Sequence, residues 1–260
     1  MKFSPLVSLL GLLTGTSLYI DGTFVEVEHP FQFSPQHIFA LGNSPRLAAC
    51  DLPPLSIMPL GDSITYGTGV EGGYRLGLWN SLLQDDFQVD FVGSESDGPV
   101  NIDPDHEGHP GKTIQFIREN IRNWLNAHRP DIVLLLIGTN DILNPQVHDF
   151  PNASYRLSAL IDQITLIAPD TDLLVASVTP LDDSLANQRV MAFNAEIPGL
   201  VDAYARRGRR VYFVDMNGAL SLADLGDGIH PNAVGYDKMA RVWYDALSDR
   251  LEQHCQNSSN

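Results

Sequence analysis

The chain has 260 residues, of which 43% are hydrophobic, and its formal net charge at pH 7 is −16. This length and apolar content are enough for one globular domain of ordinary size. The negative charge argues against nucleic acid and anionic membranes as partners, because like charges repel. It favours a neutral substrate.

The N-terminal residues 1–18 have the pattern of a secretory signal peptide. Lys2 supplies a positive start, and the apolar run 6–13 is too short to span a bilayer. Small residues follow at 15–17 and offer a cleavage zone. The pattern predicts a secreted, extracellular protein. Residues 19–54, rich in proline and without clear periodicity, are interpreted as a linker.

The two cysteines lie on either side of the predicted domain, which spans residues 55–253. Cys50 comes just before it, and Cys255 lies in the predicted C-terminal tail, 254–260. In an oxidising compartment a disulfide between them would tie the two ends of the domain together. Two free thiols in the tails is the alternative.

From residue 55 onward, strand-like and helix-like segments alternate. Strands are predicted at 56–60, 89–92, 132–137, 173–178 and 211–214. Helices are predicted at 73–84, 112–128, 155–167, 187–207 and 233–251. This alternation predicts an α/β fold, a three-layer αβα sandwich around a five-stranded parallel sheet of flavodoxin-like order 2-1-3-4-5. Ligands of such sheets bind beyond the carboxyl ends of the strands.

A serine motif directly follows the first predicted strand, in Gly61-Asp62-Ser63. A serine on a strand-to-helix turn presents its hydroxyl at the top of the sheet, and the glycine is expected to permit the tight exit from the strand. The amides that start the helix favour developing negative charge. Ser63 is therefore the candidate nucleophile. The alternative is that Asp62 and Ser63 only cap a helix.

A histidine motif precedes the last predicted helix, with Asp227 three residues before His230. His230 can accept the serine proton and later protonate the departing alcohol, while Asp227 holds the other imidazole nitrogen. Pro231 is expected in the first turn of the helix. The alternative is a surface loop with a stray histidine.

Asn140 follows the most apolar predicted strand, within Gly138-Thr139-Asn140-Asp141. Its side-chain amide can donate to the oxyanion of a tetrahedral intermediate, where one well-placed donor is worth about 3 kcal/mol. A turn-forming asparagine is the alternative. Asp141 is expected to brace the loop and is assigned no chemical step.

Three segments resemble conserved blocks of the SGNH (GDSL-type) hydrolases: 61–63, 138–141 and 227–230. The resemblance implies a flavodoxin-like αβα sandwich and a catalytic triad of Ser63, His230 and Asp227. It also implies that the enzyme needs no cofactor and no metal.

The same resemblance implies an oxyanion hole made by the Ser63 amide, a glycine amide and the Asn140 side chain. Gly111 is the better candidate for the glycine, because it opens a predicted helix whose first amides can donate to an anion. Gly93, at the end of the second predicted strand, is the other candidate.

The stretch 106–114, together with 89–94 before it, is similar to carbohydrate esterase family 3. The characterised activity of that family is acetylxylan esterase, so the resemblance implies removal of acetyl groups from xylan. Family members often carry an aromatic residue where this chain has Lys112. Because Lys112 lies beside the candidate oxyanion glycine, substrate preference can differ.

Two segments contain residue types that can bind metal ions. Carboxylates alternate from Asp103 to Glu107 as at the start of a calcium loop, but Ile114 stands where the closing glutamate would be. A solvated loop is therefore expected. His106 and His109 lack the spacing of zinc ligands, and one of them is expected at the rim of the active site.

The sequence thus predicts a secreted, monomeric serine esterase that acts on an acetylated polysaccharide or a small ester. Neither nucleic acid nor a membrane is an expected partner. Two alternatives remain open, which are a lipase-like or thioesterase enzyme for longer acyl chains and a non-catalytic carbohydrate-binding protein. The polysaccharide and the acetyl position stay open.

Overall fold

The computed structural model describes residues 17–20, 23–26 and 53–258, and the side chains of residues 53–252. The chain divides into two compact units, Met1–Arg46 and Leu47–Asn260. In the first unit, β1 (Ser17–Ile20) pairs with β2 (Thr23–Glu26) in antiparallel register. Residues 1–16 and the side chains of both cysteines lie outside the described residues, so the signal peptide and the disulfide stay predictions.

A mostly parallel sheet forms the centre of the second unit. Its strands are, in chain order, β3 (Leu55–Gly61), β4 (Val89–Phe91), β5 (Glu95–Ser96), β6 (Asp105–Gly108), β7 (Ile132–Leu136), β8 (Asp172–Ala176) and β9 (Val211–Val214). The five strands with apolar sequences are parallel and lie in the order β4-β3-β7-β8-β9. In chain order this is 2-1-3-4-5, so the predicted flavodoxin-like core is confirmed.

The sheet has seven strands rather than the predicted five. β6 runs parallel to the end of β3 and pairs Gly108 with Gly61, and β5 is antiparallel to β6. The sequence analysis missed both because they are short and polar, without the apolar run that marks a buried strand. Their pairing places the chain after β6 beside the carboxyl end of β3.

Helices cover both faces of the sheet. They are α1 (Ser63–Tyr66), α2 (Gly73–Gln84), α3 (Ile114–His128), α4 (Thr139–Leu143), α5 (Ala153–Ile167), α6 (Ser184–Ala205) and α7 (Ala233–Ser258). Alternate residues of β7 enter two separate apolar clusters, because successive strand side chains point to opposite faces. One cluster includes side chains from α3, α5 and α6, and the other includes side chains from α2 and α7. The predicted three-layer sandwich is confirmed.

Two short helices that the sequence analysis missed, α1 and α4, follow directly after β3 and β7. Four or five residues are too few to display helical periodicity. The long helices were found, with ends that differ from the prediction by a few residues; α7 continues to Ser258. Among the described residues, none of the helices combines the length and apolar character needed to cross a membrane.

Candidate active site

The candidate nucleophile lies on a tight turn. Ser63 is the first residue of α1, and the Asp62 carboxylate accepts the Ile64 N–H at 3.0 Å, which caps this helix. Gly61 does not have a positive φ; instead, a Cβ there would collide with the Leu136 carbonyl oxygen on the neighbouring strand. The expected tight exit exists, since α1 begins two residues after Gly61, and glycine is required there because the Leu136 carbonyl and the Thr65 side chain leave no room for a Cβ.

The three predicted triad side chains lie in one hydrogen-bonded row. The His230 Nε2 atom is 2.8 Å from the Ser63 Oγ, and its Nδ1 is 2.8 Å from an Asp227 carboxylate oxygen. With the proton on Nδ1, the ring donates to Asp227 and accepts from the Ser63 hydroxyl. Asp62 caps α1 while Ser63 takes part in this hydrogen-bonded row. The serine turn is therefore more than a helix cap.

The loop that carries His230 is held by its own hydrogen bonds. The second Asp227 carboxylate oxygen accepts the backbone N–H groups of Ile229 at 3.0 Å and His230 at 2.7 Å. Gly228 between them has a φ of +85°, a conformation that favours glycine. Its carbonyl accepts the N–H of Asp182 at 2.9 Å. These bonds orient the imidazole toward Ser63.

The predicted position of Pro231 in the first turn of the last helix is wrong. α7 begins two residues later, and the Asn232 side chain accepts the Gly235 N–H at 3.0 Å as its cap. Pro231 instead forms an antiparallel bridge with Leu225. The bridge closes the loop directly after His230. The imidazole is therefore held in position by strand-like pairing rather than by a helical turn.

Two carboxylates of the site have opposite environments. Asp62 is fully buried, and burial raises its pKa to about 6 although the bond from the Ile64 N–H acts in the other direction. The Asp227 side chain is 57% exposed. Desolvation raises the pKa of Asp227, but the hydrogen bonds from His230 and from the Ile229 N–H together outweigh it and lower the pKa to about 2. Asp227 is therefore ionised at neutral pH, as a partner for an imidazolium must be.

The Asn140 side chain joins the two other loops of the site. Its Nδ2 donates to the Lys112 carbonyl at 2.9 Å and to the Asp62 carboxylate at 3.3 Å. Asp62 precedes Ser63 in the chain, and Lys112 follows Gly111, so the candidate oxyanion donors lie on loops that Asn140 connects. An amide nitrogen has only two hydrogens. Donation to an oxyanion would therefore compete with one of these acceptors, most readily with the longer bond to Asp62.

The two glycines considered for the oxyanion hole are required for different reasons. At Gly93 a Cβ would collide with the backbone of His106, so the absent side chain allows a close backbone approach. Gly111 has a φ of +76°, and no atom lies within 4 Å of the place where its Cβ would be. The prediction that Gly111 opens the helix is wrong, because α3 begins three residues later at Ile114; Gly111 stays the better candidate, because the carbonyl of its neighbour Lys112 binds Asn140.

A supporting pair that the sequence analysis did not identify lies beside the serine turn. The His109 ring stacks on Trp124, with centroids 4.7 Å apart, and its Nε2 is 2.7 Å from the fully buried Glu107 carboxylate. The backbone N–H of His109 donates to the Gly61 carbonyl at 3.0 Å. His106 is fully buried. His109 directly follows the end of β6 and comes two residues after Glu107, and this short Glu-x-His spacing was the available signal.

The expectation of a solvated loop at 103–107 is wrong, because Asp105–Gly108 forms β6 with Glu107 fully buried, and the carboxylates of this segment are bound to the protein itself. Asp103 accepts hydrogen bonds from the backbone N–H groups of Phe91 and Asp105. Glu107 accepts one hydrogen bond from the Ser94 backbone N–H and another from the Ser94 hydroxyl. In the part of the chain with described side chains, no three His, Cys, Asp or Glu residues are grouped to hold a metal ion.

A parallel αβα sheet with a serine–histidine–carboxylate row at its carboxyl edge is an arrangement able to carry out nucleophilic acyl transfer, as serine hydrolases do. The model of the GDSL-like lipase/acylhydrolase family matches residues 60–238. The chain belongs to this family of lipases and acylhydrolases. The resemblance to the SGNH hydrolases is thereby confirmed.

Known esterases are similar to this chain. A multidomain esterase of Ruminococcus flavefaciens is 30% identical over 258 residues, covering 88% of this chain and 33% of that relative, so the chain spans a third of its length. A family 3 carbohydrate esterase of Clostridium thermocellum has a TM-score of 0.68 at 39% identity, covering 78% of this chain and 99% of that one. An acetyl esterase crystallised with an acetate ion has a TM-score of 0.69 at 28% identity, covering 76% and 99%.

Proposed function

We propose that the protein is a secreted esterase that removes acetyl groups from a plant cell-wall polysaccharide such as xylan. The observation that carries the proposal is the row of 2.8 Å contacts from Asp227 through His230 to Ser63. This row supports nucleophilic catalysis at an ester carbonyl, because the imidazole can take up the serine proton as the new bond forms.

The reaction runs in two steps. In the first, the Ser63 Oγ attacks the acetyl carbonyl, its proton passes to His230 Nε2, and the sugar alcohol leaves after His230 protonates it. In the second, His230 takes a proton from water as the oxygen attacks the acetyl-enzyme, then returns that proton to Ser63 as acetic acid departs and ionises in the solvent. Asp227, ionised at neutral pH, stabilises the imidazolium in both steps.

The negative charge of each tetrahedral intermediate is received by donors from three loops. These are the Ser63 N–H at the start of α1, the Gly111 N–H and the Asn140 side chain. Helix-starting amides have no acceptor within their own helix, so the Ser63 N–H is suited to bind an oxyanion. Such donors act on the transition state more than on the ester.

The acetyl specificity is supported by the neighbours of this chain. One is named a family 3 carbohydrate esterase and another an acetyl esterase crystallised with acetate. The net charge of −16 favours a neutral polysaccharide over an anionic one. Polysaccharide of the plant cell wall is extracellular, which agrees with the proposed secretion.

The decisive experiment compares the wild-type chain with Ser63→Ala on acetylated xylan, pectin and chitin, with released acetate as the readout. Wild type should release acetate from xylan, and Ser63→Ala should release none while keeping the same thermal unfolding midpoint. Acetate release by Ser63→Ala at the wild-type rate would refute the proposal. Release of acetate from pectin or chitin but not from xylan would show that the substrate is one of those two polysaccharides.

Two further measurements address the alternative functions. In a series of aryl esters from acetate to octanoate, we expect the highest kcat/KM for acetate; a preference for octanoate would indicate a lipase-like enzyme. A serine-directed phosphonate should label the wild-type protein at Ser63 alone. Failure to label, together with binding to xylan, would indicate a carbohydrate-binding protein.

A further inference from the structure

Asp141, which the sequence analysis expected to brace its loop, connects the two loops that carry the oxyanion donors. It directly follows Asn140 in α4, and its side chain is only 1% exposed. One of its carboxylate oxygens accepts the N–H of Ile114 at 3.0 Å. Ile114 begins α3 three residues after Gly111, and no capping bond from the Thr113 side chain is made there. Asp141 therefore supplies this cap from another element.

The second carboxylate oxygen of Asp141 is held by an arginine from α5. The Arg156 Nη2 atom lies 2.7 Å from it and also donates to the His148 carbonyl at 2.6 Å. The other terminal nitrogen donates to the Asp149 carbonyl at 3.0 Å. Asp149 has a φ of +49°, so Arg156 also holds a strained turn. Arg156 is 12% exposed, which keeps the ion pair largely out of water.

A nearly fully buried carboxylate needs such a partner. Without the guanidinium, Asp141 would be an unpaired charge in the protein interior, and it would either take up a proton or turn toward water. Either change would weaken the bond to the Ile114 N–H and shift the start of α3. Because Asn140 is the adjacent residue, the same change would move its side-chain amide.

We propose that Arg156 is a positioning residue for ester hydrolysis, which acts through Asp141 to hold the Gly111 and Asn140 donors of the oxyanion hole in register. The inference rests on the proposed function of this site. Arg156 forms no bond to Ser63, His230 or Asp227 among the described contacts, so its effect is transmitted through the two loops.

The test is Arg156→Lys, with Arg210→Lys as its matched control. Lysine has no planar fork, so its single ammonium cannot bond Asp141 and the two carbonyls at once, and Asp141 loses the fixed partner that holds its carboxylate. Arg210 pairs at 2.6 Å with Asp172, a buried aspartate at the start of β8 and so at the opposite edge of the sheet. Both variants remove one arginine from a buried aspartate, but only one pair touches the oxyanion loops.

For Arg156→Lys we expect kcat on an aryl acetate to fall about tenfold or more, because small displacements of catalytic groups are costly. KM should stay within about twofold, since oxyanion donors act mainly in the transition state. Arg210→Lys should keep kcat and KM. Rates are expressed per phosphonate-titrated active site, so a partly unfolded sample does not imitate the effect.

Methylboronic acid provides a readout that loss of stability alone would not change. The Ser63 oxygen bonds to boron, its proton passes to His230, and boron becomes a tetrahedral anion that resembles the intermediate. In Arg156→Lys its inhibition constant should rise in proportion to the loss of kcat/KM, while that of acetate should not change. An unchanged boronate constant, or an unchanged kcat, would overturn the inference.

A coupling measurement completes the test. In an Asn140→Ala background, Arg156→Lys should cost less activity than it does in the wild type, because one of the donors that it holds is already gone. Full additivity would contradict the inference. Ester hydrolysis lost in Ser63→Ala but normal in Arg156→Lys would overturn the role of Arg156 and leave the proposed function intact. Persisting activity of Ser63→Ala would overturn both.

Discussion

The site is built from two regions that are held in different ways. The serine turn, residues 61–66, lies at the end of the central strand β3, and Asp62, Ser63, Ile64 and Thr65 are all buried. The histidine loop, residues 225–231, is half-exposed, and its Asp227 side chain is 57% exposed. Packing positions the nucleophile, whereas hydrogen bonds among near neighbours position the base.

This difference separates stability from activity. A change at a buried side chain within the serine turn, such as Asp62, affects a closely packed strand end, so it should alter folding as well as catalysis, whereas removal of the small Ser63 hydroxyl should alter catalysis alone. A change in the histidine loop affects groups that water can reach, and should alter catalysis with little effect on unfolding. Each prediction below tests one side of this contrast.

The largest effect is expected in the histidine loop, for Asp227→Asn. An amide cannot stabilise the imidazolium as a carboxylate does and favours the wrong tautomer, so kcat should fall on the order of 10⁴-fold. The thermal midpoint should change little, because Asp227 is exposed. Initial rates on an aryl acetate and thermal unfolding check both statements. Asp170→Asn, which removes an exposed charge before β8, is the control. A loss of less than tenfold would contradict the role of Asp227.

A smaller effect is expected beside the serine turn, for Asn140→Ala. Loss of one oxyanion donor should reduce kcat by roughly 10²–10³-fold while KM stays nearly constant. Steady-state kinetics on the same ester measure it. Asn120→Ala removes another side-chain amide bonded to a backbone carbonyl, that of Phe116, and should leave kcat unchanged. Equal kinetics for both variants would exclude Asn140 as a donor.

The third prediction concerns stability and the buried Asp62. Its pKa is raised from 3.8 to about 6 on folding, so the folded protein holds this proton more tightly than the unfolded chain. The resulting stabilisation is complete below about pH 4 and is lost as the pH rises to about 6. Relative to Asp62→Asn, the wild type should therefore lose roughly 3 kcal/mol of unfolding free energy over this range.

Urea unfolding of both proteins at pH 4, 5, 6 and 7 measures this difference. The comparison between the two proteins is necessary because His106 acts oppositely in the same range. Burial lowers the pKa of His106 to about 4, so stability is lost as the pH falls from about 6.5 toward 4. That contribution is common to both proteins and cancels. A difference that stays constant with pH would contradict the raised pKa of Asp62.

Much of the fold and of the candidate site could be predicted because the signals are local. Residues 132–137 form one continuous apolar run, as a parallel strand covered on both faces requires. Each catalytic motif lies next to a predicted element: those of Ser63 and Asn140 follow strands, and that of His230 precedes the last helix. In a parallel sheet the carboxyl ends of strands meet at one edge, so the topology brings Ser63 and Asn140 to the same edge.

Other features could not be predicted because they depend on residues far apart in the chain. Pairing with β3 and β5 makes the polar segment 105–108 a strand. The close approach of Leu136 explains Gly61, and the bridge to Leu225 explains the position of Pro231. No local pattern in the sequence marks Arg156 as the partner of Asp141, which lies 15 positions earlier.

The sequence by itself determined which long elements form, in what order, and which side chains carry the chemistry, since periodicity and short motifs are properties of neighbouring residues. The tertiary structure alone decided how those side chains are held. Burial raises the pKa of Asp62 to about 6, whereas hydrogen bonds from His230 lower the pKa of Asp227 to about 2, although both are aspartates of the same site. Solvation depends on what surrounds a side chain after folding, and the surroundings come from distant parts of the chain.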